Sequence, residues 1–263
     1  MRAITVVFIS FLVVACATSP LGRQQLILFP EAQIAEMGAT AFQEIQREKP
    51  TVGPGPTVSY VKCVADAITR QLPSSVPQQW QLSVFEDDEP NAFALPGGNL
   101  GVNTGILEIA ENPSQLATVV AHEIAHVLAE HPNERVSTQY ATQTGLDLLQ
   151  AITGVGPERQ ELFALLGMGA QVGVILPFSR RQEQEADLYG LDLMAQAGFD
   201  PRESTRFWQH MESQGNGAPP EFLSTHPSGK TRMSDLQARI PAAMEIYQQA
   251  RARGIRPDCQ PPG

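Results

Sequence analysis

The chain is poor in basic residues for its length. It has 18 lysines and arginines against 28 aspartates and glutamates, which gives its 263 residues a formal net charge of −10. An acidic protein repels polyanions, and no basic cluster argues otherwise. We therefore expect no nucleic-acid partner. The 42% of hydrophobic residues suffice for the core of one sizeable domain.

Long hydrophobic runs are also scarce. A membrane-spanning helix needs about 20 apolar residues, and the two main apolar stretches, residues 4–14 and 162–178, fall short of that. The second predicts a core helix with close glycine contacts, with a lipid- or substrate-contacting segment as the alternative. The first follows Arg2 and ends in small residues, so residues 1–15 have the pattern of a secretion signal.

The predicted signal ends in Val13-Val14-Ala15-Cys16, which resembles the bacterial lipobox. In that motif the cysteine is acylated and becomes the first residue of the mature protein, and several acyl chains together anchor a protein stably. Ala17 follows where aspartate would favour the inner membrane. We expect a lipid anchor at Cys16 in the outer membrane, facing the periplasm. A plain cleaved signal peptide is the alternative.

Cysteine is rare, with three in the chain. Apart from the predicted lipidation site, only Cys63 and Cys259 remain, and an oxidising periplasm would allow them to form one disulfide between an early helix and the C-terminal tail. The alternative is a buried thiol at Cys63 and a free Cys259.

Hydrophobic periodicity predicts an α+β, mainly α, domain over residues 31–252. A polar tether at residues 16–30 should precede it, and a tail at residues 253–263 should follow. The first part of the domain should contain two helices, one strand and a hairpin with a Pro-Gly-Gly turn. These elements are expected at Glu31–Glu48, Thr57–Leu72, Trp80–Glu86, and Ala92–Leu95 with Leu100–Asn103.

The string His122-Glu123-Ile124-Ala125-His126 carries the most specific chemical signal. On a helix, histidines four residues apart share one face and can bind one metal ion, while the glutamate reaches the open coordination position. Asn112 as N-cap, Pro113 and a capping box with Gln115 should begin this helix, and Pro132 should end it. Apolar residues on most of its sides predict a buried helix, which would hold its ligands rigidly.

A catalytic zinc ion needs a third protein ligand. A histidine six residues after His126 would supply it in one class of such sites, but Pro132 stands there. His131 comes one residue too early, beside the proline, and is predicted to lie on the surface. His210 is predicted to pack or to lie on the surface.

Glu183 is the better candidate for the third ligand. A capping box at Ser179 begins its helix, and helical periodicity places Glu183 and Asp187 on the core face, whereas Glu185 faces water. A buried carboxylate needs a metal ion or an ion pair. We expect Glu183 to bind zinc and Asp187 to accept the second ring N–H of a ligating histidine. The alternative is an internal salt bridge from Glu183 or Asp187 to Arg180 or another cation.

Three motifs together resemble the HExxH gluzincin metallopeptidases. They are the His-Glu-Ile-Ala-His string, Glu183-Gln184-Glu185-Ala186-Asp187, and the earlier Asn91-Ala92-Phe93-Ala94-Leu95-Pro96-Gly97-Gly98. That family includes HtpX, the CAAX prenyl proteases, the Oma-type mitochondrial peptidases and the periplasmic peptidases BepA and LoiP. The resemblance covers residues 31–239. It is nearest to LoiP-like lipoproteins, since we expect this chain to have neither the membrane spans of HtpX nor the tetratricopeptide domain of BepA.

The resemblance implies a zincin-like fold with a small sheet or hairpin beside the HExxH helix. It implies one Zn²⁺ per chain, with ligands His122, His126 and Glu183, and with Glu123 as the general base. It also places Asn91 and Ala92 in the substrate cleft, where an edge strand could pair with an extended peptide. A hairpin that only covers the core is the alternative.

His226, in Ser224-Thr225-His226-Pro227 with Arg232 six residues later, also resembles a family motif near the active site. It could donate a hydrogen bond to the oxyanion, or it could become a fourth zinc ligand that switches the enzyme off. A structural histidine that caps a helix is the alternative. The preceding loop, residues 215–220, could be a lid or a passive connection.

The resulting hypothesis is a zinc-dependent endopeptidase of the periplasm. Its substrates would be polypeptides, chiefly unfolded or misassembled outer-membrane proteins. The competing hypothesis is a lipid-anchored chaperone or assembly factor for outer-membrane proteins with little proteolysis.

Overall fold

A computed structural model describes residues 16–74, 76, 79–153, 178–213, 221–227 and 231–262. The predicted signal peptide, nearly all of the apolar stretch at residues 162–178 and the loop at residues 215–220 lie outside these residues. Within the described ranges, none of the helices is both long and apolar enough to cross a membrane.

The described chain contains short strands among longer helices, and this confirms the predicted mainly α, α+β class. In chain order the elements are β1 Cys16–Thr18, β2 Gln24–Leu26, α1 Glu31–Glu48, α2 Pro56–Thr69, β3 Gln81–Phe85, β4 Ala92–Leu95, β5 Asn99–Asn103, α3 Gly105–Ile109, α4 Pro113–Leu128, α5 His131–Thr153, α6 Arg180–Gln196, α7 Glu203–Ser213, α8 Glu221–Thr225 and α9 Arg232–Ala252.

Helix α4 forms the centre of the core, and every residue from Gln115 to His126 is buried. Its start follows the predicted chemistry only in part. The Asn112 side chain accepts hydrogen bonds from the backbone N–H groups of Ser114 and Gln115, at 3.0 and 3.1 Å. The Gln115 side chain, however, accepts from the N–H of Glu111 at 3.0 Å instead of completing a capping box.

The predicted end of α4 at Pro132 is wrong. The helix already ends at Leu128, and Pro132 lies in the first turn of α5. A proline is tolerated there because the first-turn N–H groups have no intrahelical partner. Between the two helices Glu130 adopts a left-handed conformation with φ 51°, so the chain folds back beside α4 instead of leaving it.

A three-stranded sheet covers one side of α4, in the order β3-β5-β4. β3 runs parallel to β5. β4 pairs antiparallel with β5, and Ala92 lies opposite Val102 in this register. Gly97 and Gly98 form the turn between β4 and β5 with φ values of 84° and 81°, which glycine adopts without a steric penalty. The hairpin is therefore present as predicted, and β4 is an edge strand that packs against α4.

Helix α6 packs directly on α4, and α9 packs on α6. Ser179 and Gln182 form the predicted capping box at the start of α6. Gly190 lies where α6 crosses α4, and a Cβ atom at this position would lie 2.9 Å from the backbone nitrogen of His122. Glycine thus permits the close approach of the two helices that carry the predicted ligands.

Residues of the predicted tether form a structured hairpin. β1 and β2 pair antiparallel, and side-chain hydrogen bonds join the segment to the helices beneath it. Gln25 Nε2 donates to the Ala129 carbonyl at the end of α4 at 2.7 Å, and the N–H of Leu28 donates to Ser137 Oγ on α5 at 2.9 Å. The segment is therefore fixed to the domain along its length.

Cys63 on α2 and Cys259 in the C-terminal tail form a disulfide across 196 positions of sequence. A crosslink that closes so long a loop restricts the unfolded chain, and native disulfides typically contribute about 2–4 kcal/mol. We therefore expect replacement of both cysteines by serine to lower the free energy of unfolding by about that amount, measured by urea titration.

Reductant provides the control for the disulfide prediction. It should destabilise the wild type by the same amount and leave the double-serine variant unchanged. Equal urea midpoints for oxidised wild type and double variant would contradict the prediction.

Candidate metal centre

Four buried side chains converge between α4 and α6. His122 and His126 come from α4, Glu183 from the first turn of α6, and His226 from the segment after α8. One ligand-type atom from each lies within 4.8 Å of every other. The structure thus brings together the three predicted zinc ligands and the histidine whose role the sequence left open.

The two α4 histidines direct the same ring atom, Nε2, at a common point. These two nitrogens lie 3.1 Å apart. The oxygens of Glu183 lie 3.4 Å from His122 Nε2 and 3.3 Å from His126 Nε2. On the far side of the first ring, Asp187 Oδ1 lies 3.0 Å from His122 Nδ1, at hydrogen-bonding distance. Asp187 is therefore at the position predicted for a carboxylate that orients a ligating histidine.

The surrounding charges favour a cation at this point. Burial opposes a charge on the His122 ring, but Asp187 and Glu183 outweigh it and raise the pKa of His122 to about 9. Burial likewise opposes ionisation of Glu183, yet His226 and His126 hold its pKa well below its usual range. The carboxylate thus stays ionised in a buried site, which suits binding of a positive ion.

Glu123 lies beside this cluster with 2% of its surface exposed. Its Oε2 accepts a hydrogen bond from the N–H of Ala94 on β4 at 3.2 Å, and its Oε1 lies 3.5 Å from His226 Nε2. Burial raises its pKa, and the nearby histidines His226 and His122 only partly oppose this. A carboxylate with a raised pKa next to a metal site is suited to taking up and returning a proton.

His226 contacts both parts of the site. Its Nδ1 lies 3.1 Å from Glu183 Oε1 and 3.3 Å from His122 Nε2, and its ring stacks on Phe222 with centroids 4.3 Å apart. In this conformation Nδ1 belongs to the set of possible ligand atoms, whereas Nε2 faces Glu123. The geometry is compatible with a fourth ligand, and it also places a ring nitrogen beside the predicted base.

Arg232 is a site residue to which sequence reasoning gave no role. Its Nε donates to Asp187 Oδ2 at 2.6 Å and its Nη2 donates to Glu183 Oε2 at 3.0 Å. The guanidinium lies 4.0 Å above the Trp208 ring, and the residue is 4% exposed. It forms ion pairs with one carboxylate of the ligand set and with the carboxylate behind His122. Its place six residues after His226 was the available signal.

The predictions for Glu185 and His131 are both wrong. Glu185 was expected to face water but is 5% exposed, and His131 was expected on the surface but is fully buried. Because α5 folds back along α4, His131 reaches His126, with the two Nδ1 atoms 2.9 Å apart. Burial lowers the pKa of His131. The outward side of α6 is covered by α5 and the N-terminal hairpin, and helical periodicity alone does not reveal such cover.

Burial also opposes ionisation of Glu185. Hydrogen bonds from His131, Ser19 and Arg23 outweigh it and lower the pKa of Glu185 to about 2. His210 does lie near the surface, with 38% of its side chain exposed.

The predicted substrate residues lie at the start of β4. Asn91 is 6% exposed and Ala92 is fully buried, so their side chains offer little surface to a substrate. The Asn91 carbonyl accepts from the N–H of Asn103 on β5 at 2.9 Å. Backbone groups alternate in direction along a strand, so those of Ala92 and Ala94 point away from β5, and the N–H of Ala94 donates to Glu123.

Comparison with known proteins gives a consistent result. Peptidase family M48 matches residues 57–240. The mitochondrial metalloendopeptidase OMA1 of Schizosaccharomyces pombe is 37% identical over 190 residues, which are 72% of this chain and 54% of that protein. The OMA1 metalloendopeptidase of Danio rerio is 34% identical over 243 residues, covering 86% and 50% of the two chains.

A bacterial relative is the beta-barrel assembly-enhancing protease of Escherichia coli K12. It is 28% identical over 220 residues, which are 79% of this chain and 44% of that protein. The chain spans about half the length of the curated relatives it matches. The extent of the family match and the identity to the OMA1 peptidases show that the chain belongs to peptidase family M48, whose members use zinc.

Proposed function

We propose that this protein is a zinc-dependent endopeptidase of the periplasm that degrades misfolded or misassembled envelope proteins, chiefly of the outer membrane. The observation that carries the proposal is the convergence of His122, His126 and Glu183 beside Glu123. The metallopeptidase relatives support the chemistry. The name of the E. coli relative, a beta-barrel assembly-enhancing protease, supports the choice of substrate.

The donor set fits zinc. Two imidazole nitrogens face one another at 3.1 Å, and a carboxylate beside them lies within 3.4 Å of each. Two histidines and one glutamate form a known catalytic zinc set, whereas magnesium and calcium prefer sites made of oxygen ligands. Zinc in such a site polarises the carbonyl of the scissile bond and lowers the pKa of water.

The protein's own residues would perform the remaining steps. An extended peptide would bind along the edge of β4 that faces away from β5, which would fix the peptide beside the site. Glu123 would take the proton from the attacking water as the new C–O bond forms. It would then donate that proton to the leaving nitrogen as the C–N bond breaks.

The first test is removal and return of the metal. A chelator should abolish cleavage of an unfolded protein such as casein, and one equivalent of Zn²⁺ should restore it, whereas Mg²⁺ and Ca²⁺ should not. Cleavage that continues in chelator with no metal detected in the protein would refute the proposal.

Substrate preference is tested with one outer-membrane β-barrel protein in two states. The chain should cleave the barrel unfolded in dilute urea at least ~10-fold faster than the same barrel folded in detergent, since opening a folded segment by about 1.4 kcal/mol already costs that factor. Equal rates would remove the quality-control role and leave the peptidase intact.

The assembly-factor alternative is kept open by the same E. coli relative, whose name refers to β-barrel assembly. The Glu123→Gln form decides between the two. Rescue of cells that lack the protein by this variant would favour assembly, and failure to rescue would favour proteolysis.

Incorporation of labelled palmitate into the wild type but not into Cys16→Ser tests the membrane anchor.

A further inference from the structure

Arg23 joins the N-terminal hairpin to two carboxylates. Its Nη1 and Nη2 donate to the two oxygens of Glu134 at 2.5 and 2.7 Å, and its Nε donates to Glu185 Oε2 at 2.8 Å. The Glu134 and Glu185 side chains are only 13% and 4% exposed. Paired charge-assisted bonds of this kind are strong and directional, so Arg23 fixes the position of both carboxylates.

The contact continues from Glu185 to a predicted zinc ligand. Glu185 Oε2 lies 3.2 Å from His131 Nε2, and the other nitrogen of that ring lies 2.9 Å from His126 Nδ1. Both histidines are fully buried. A continuous chain of side chains therefore runs from Arg23 on the hairpin through Glu185 and His131 to His126.

The hydrogen bonds along this chain can all be donated in one direction, from His126 towards Glu185. A cation bound at Nε2 of His126 leaves the ring proton on its Nδ1. The facing Nδ1 of His131 then accepts a hydrogen bond from that N–H, so His131 carries its own proton on Nε2 and donates a hydrogen bond from there to Glu185. Each N–H donor then has an acceptor, and Arg23 donates to the last carboxylate, Glu185.

The other histidine has a comparable but shorter support. Asp187 lies behind the ring of His122, and Arg232 donates to Asp187. Each histidine is thus supported by a carboxylate that an arginine contacts. The carboxylate lies directly beside His122, whereas His131 lies between His126 and Glu185. Groups of this kind fix the ring orientation of a ligand and typically change metal affinity by about 10–100-fold.

We propose that Arg23, Glu185 and His131 are positioning residues for the metal centre. Through them, the segment directly after the predicted lipid anchor helps to orient a metal ligand. The proposal rests on the proposed function only in requiring that His122, His126 and Glu183 bind a metal ion. It assigns to the N-terminal hairpin an effect on metal affinity beyond attachment of the domain.

The experiment measures Zn²⁺ affinity of the full chain in detergent by competition with a chromogenic chelator. Arg23→Gln and His131→Phe break the chain at two points. His131→Gln is the rescue variant, since its amide keeps one acceptor and one donor in a plane. Arg202→Gln is the matched control, because Arg202 is 63% exposed and pairs with Asp200 away from the site.

We expect His131→Phe to weaken zinc binding by about 10–100-fold and Arg23→Gln by about 10-fold. His131→Gln and Arg202→Gln should bind zinc as the wild type does. The visible absorption bands of the Co²⁺-substituted protein should shift in the two weakened variants and stay unchanged in the other two, which a loss of global stability alone would not produce.

The outcomes separate the two proposals. A wild type that binds no zinc would overturn the proposed function and this inference together. Zinc binding by the wild type with unchanged affinity and Co²⁺ bands in both Arg23→Gln and His131→Phe would overturn this inference alone. If His131→Phe does not fold, Arg23→Gln decides, because the side chain of Arg23 is 23% exposed at the protein surface.

Discussion

Glu123→Gln should lower kcat for peptide cleavage by about 10²–10⁴-fold, the range that general acid and base catalysis contributes. The raised pKa of Glu123 follows from its burial, so the carboxylate can both accept and return a proton. Glutamine keeps the size of the side chain, and its amide oxygen can still accept the hydrogen bond from the N–H of Ala94. It cannot take up a proton. Zinc content, measured by metal analysis, should therefore stay at one ion per chain.

Glu108→Gln on α3 is the matched control, because this substitution removes the same charge at an exposed position. It should cleave at the wild-type rate. An undiminished rate in Glu123→Gln would refute the assignment of Glu123 as the base. Loss of zinc together with activity would instead give Glu123 a part in metal binding.

The sequence predicts the centre of the site because the relevant information is local. His122 and His126 lie on one turn of one helix, and the face that carries Glu183 also carries Gly190. Helical periodicity is sufficient to place such residues on a common side. The cost of burying a carboxylate without a partner then favours the pairing of Glu183 with the histidines of α4.

The outer part of the site could not be predicted in the same way. Glu185 lies on the opposite side of α6 from Glu183, and its burial depends on Arg23, 162 residues earlier in the chain. His131 was misplaced because Pro132 indicated a helix end, whereas the structure begins a new helix there. Periodicity describes one helix at a time, and it gives no information on which other segments cover it.

The fold shows the same division. The bounds of α1 and the pairing of β4 with β5 follow from apolar spacing and a glycine turn. The hairpin of β1 and β2 has three-residue strands, which are too short to produce a recognisable alternation. Its position depends on single contacts such as Gln25 with the end of α4, so the polar composition predicted only a tether.

Gly190→Ala should separate the metal ligands without removing any of them. The new Cβ would lie 2.9 Å from the His122 nitrogen and 3.0 Å from its Cα, and both are backbone atoms of a buried helix. Helix α6 must therefore move away from α4 and carry Glu183 with it. Zinc tolerates deviations of only about 0.2 Å in its ligand distances, and a displacement of about 1 Å can cost on the order of 10²-fold in rate.

Stability is a poor readout for this substitution, because two effects oppose each other. Alanine inside a helix raises the free energy of unfolding by about 1 kcal/mol relative to glycine, whereas overpacking lowers it by about 1–3 kcal/mol. Zinc affinity and cleavage rate are the decisive measurements. Both should fall, and the rate should fall by about 10²-fold. Gly53→Ala is the control, since a Cβ at that position meets no atom within 4 Å. Wild-type zinc affinity in Gly190→Ala would show that the close approach of α4 and α6 does not set the ligand geometry.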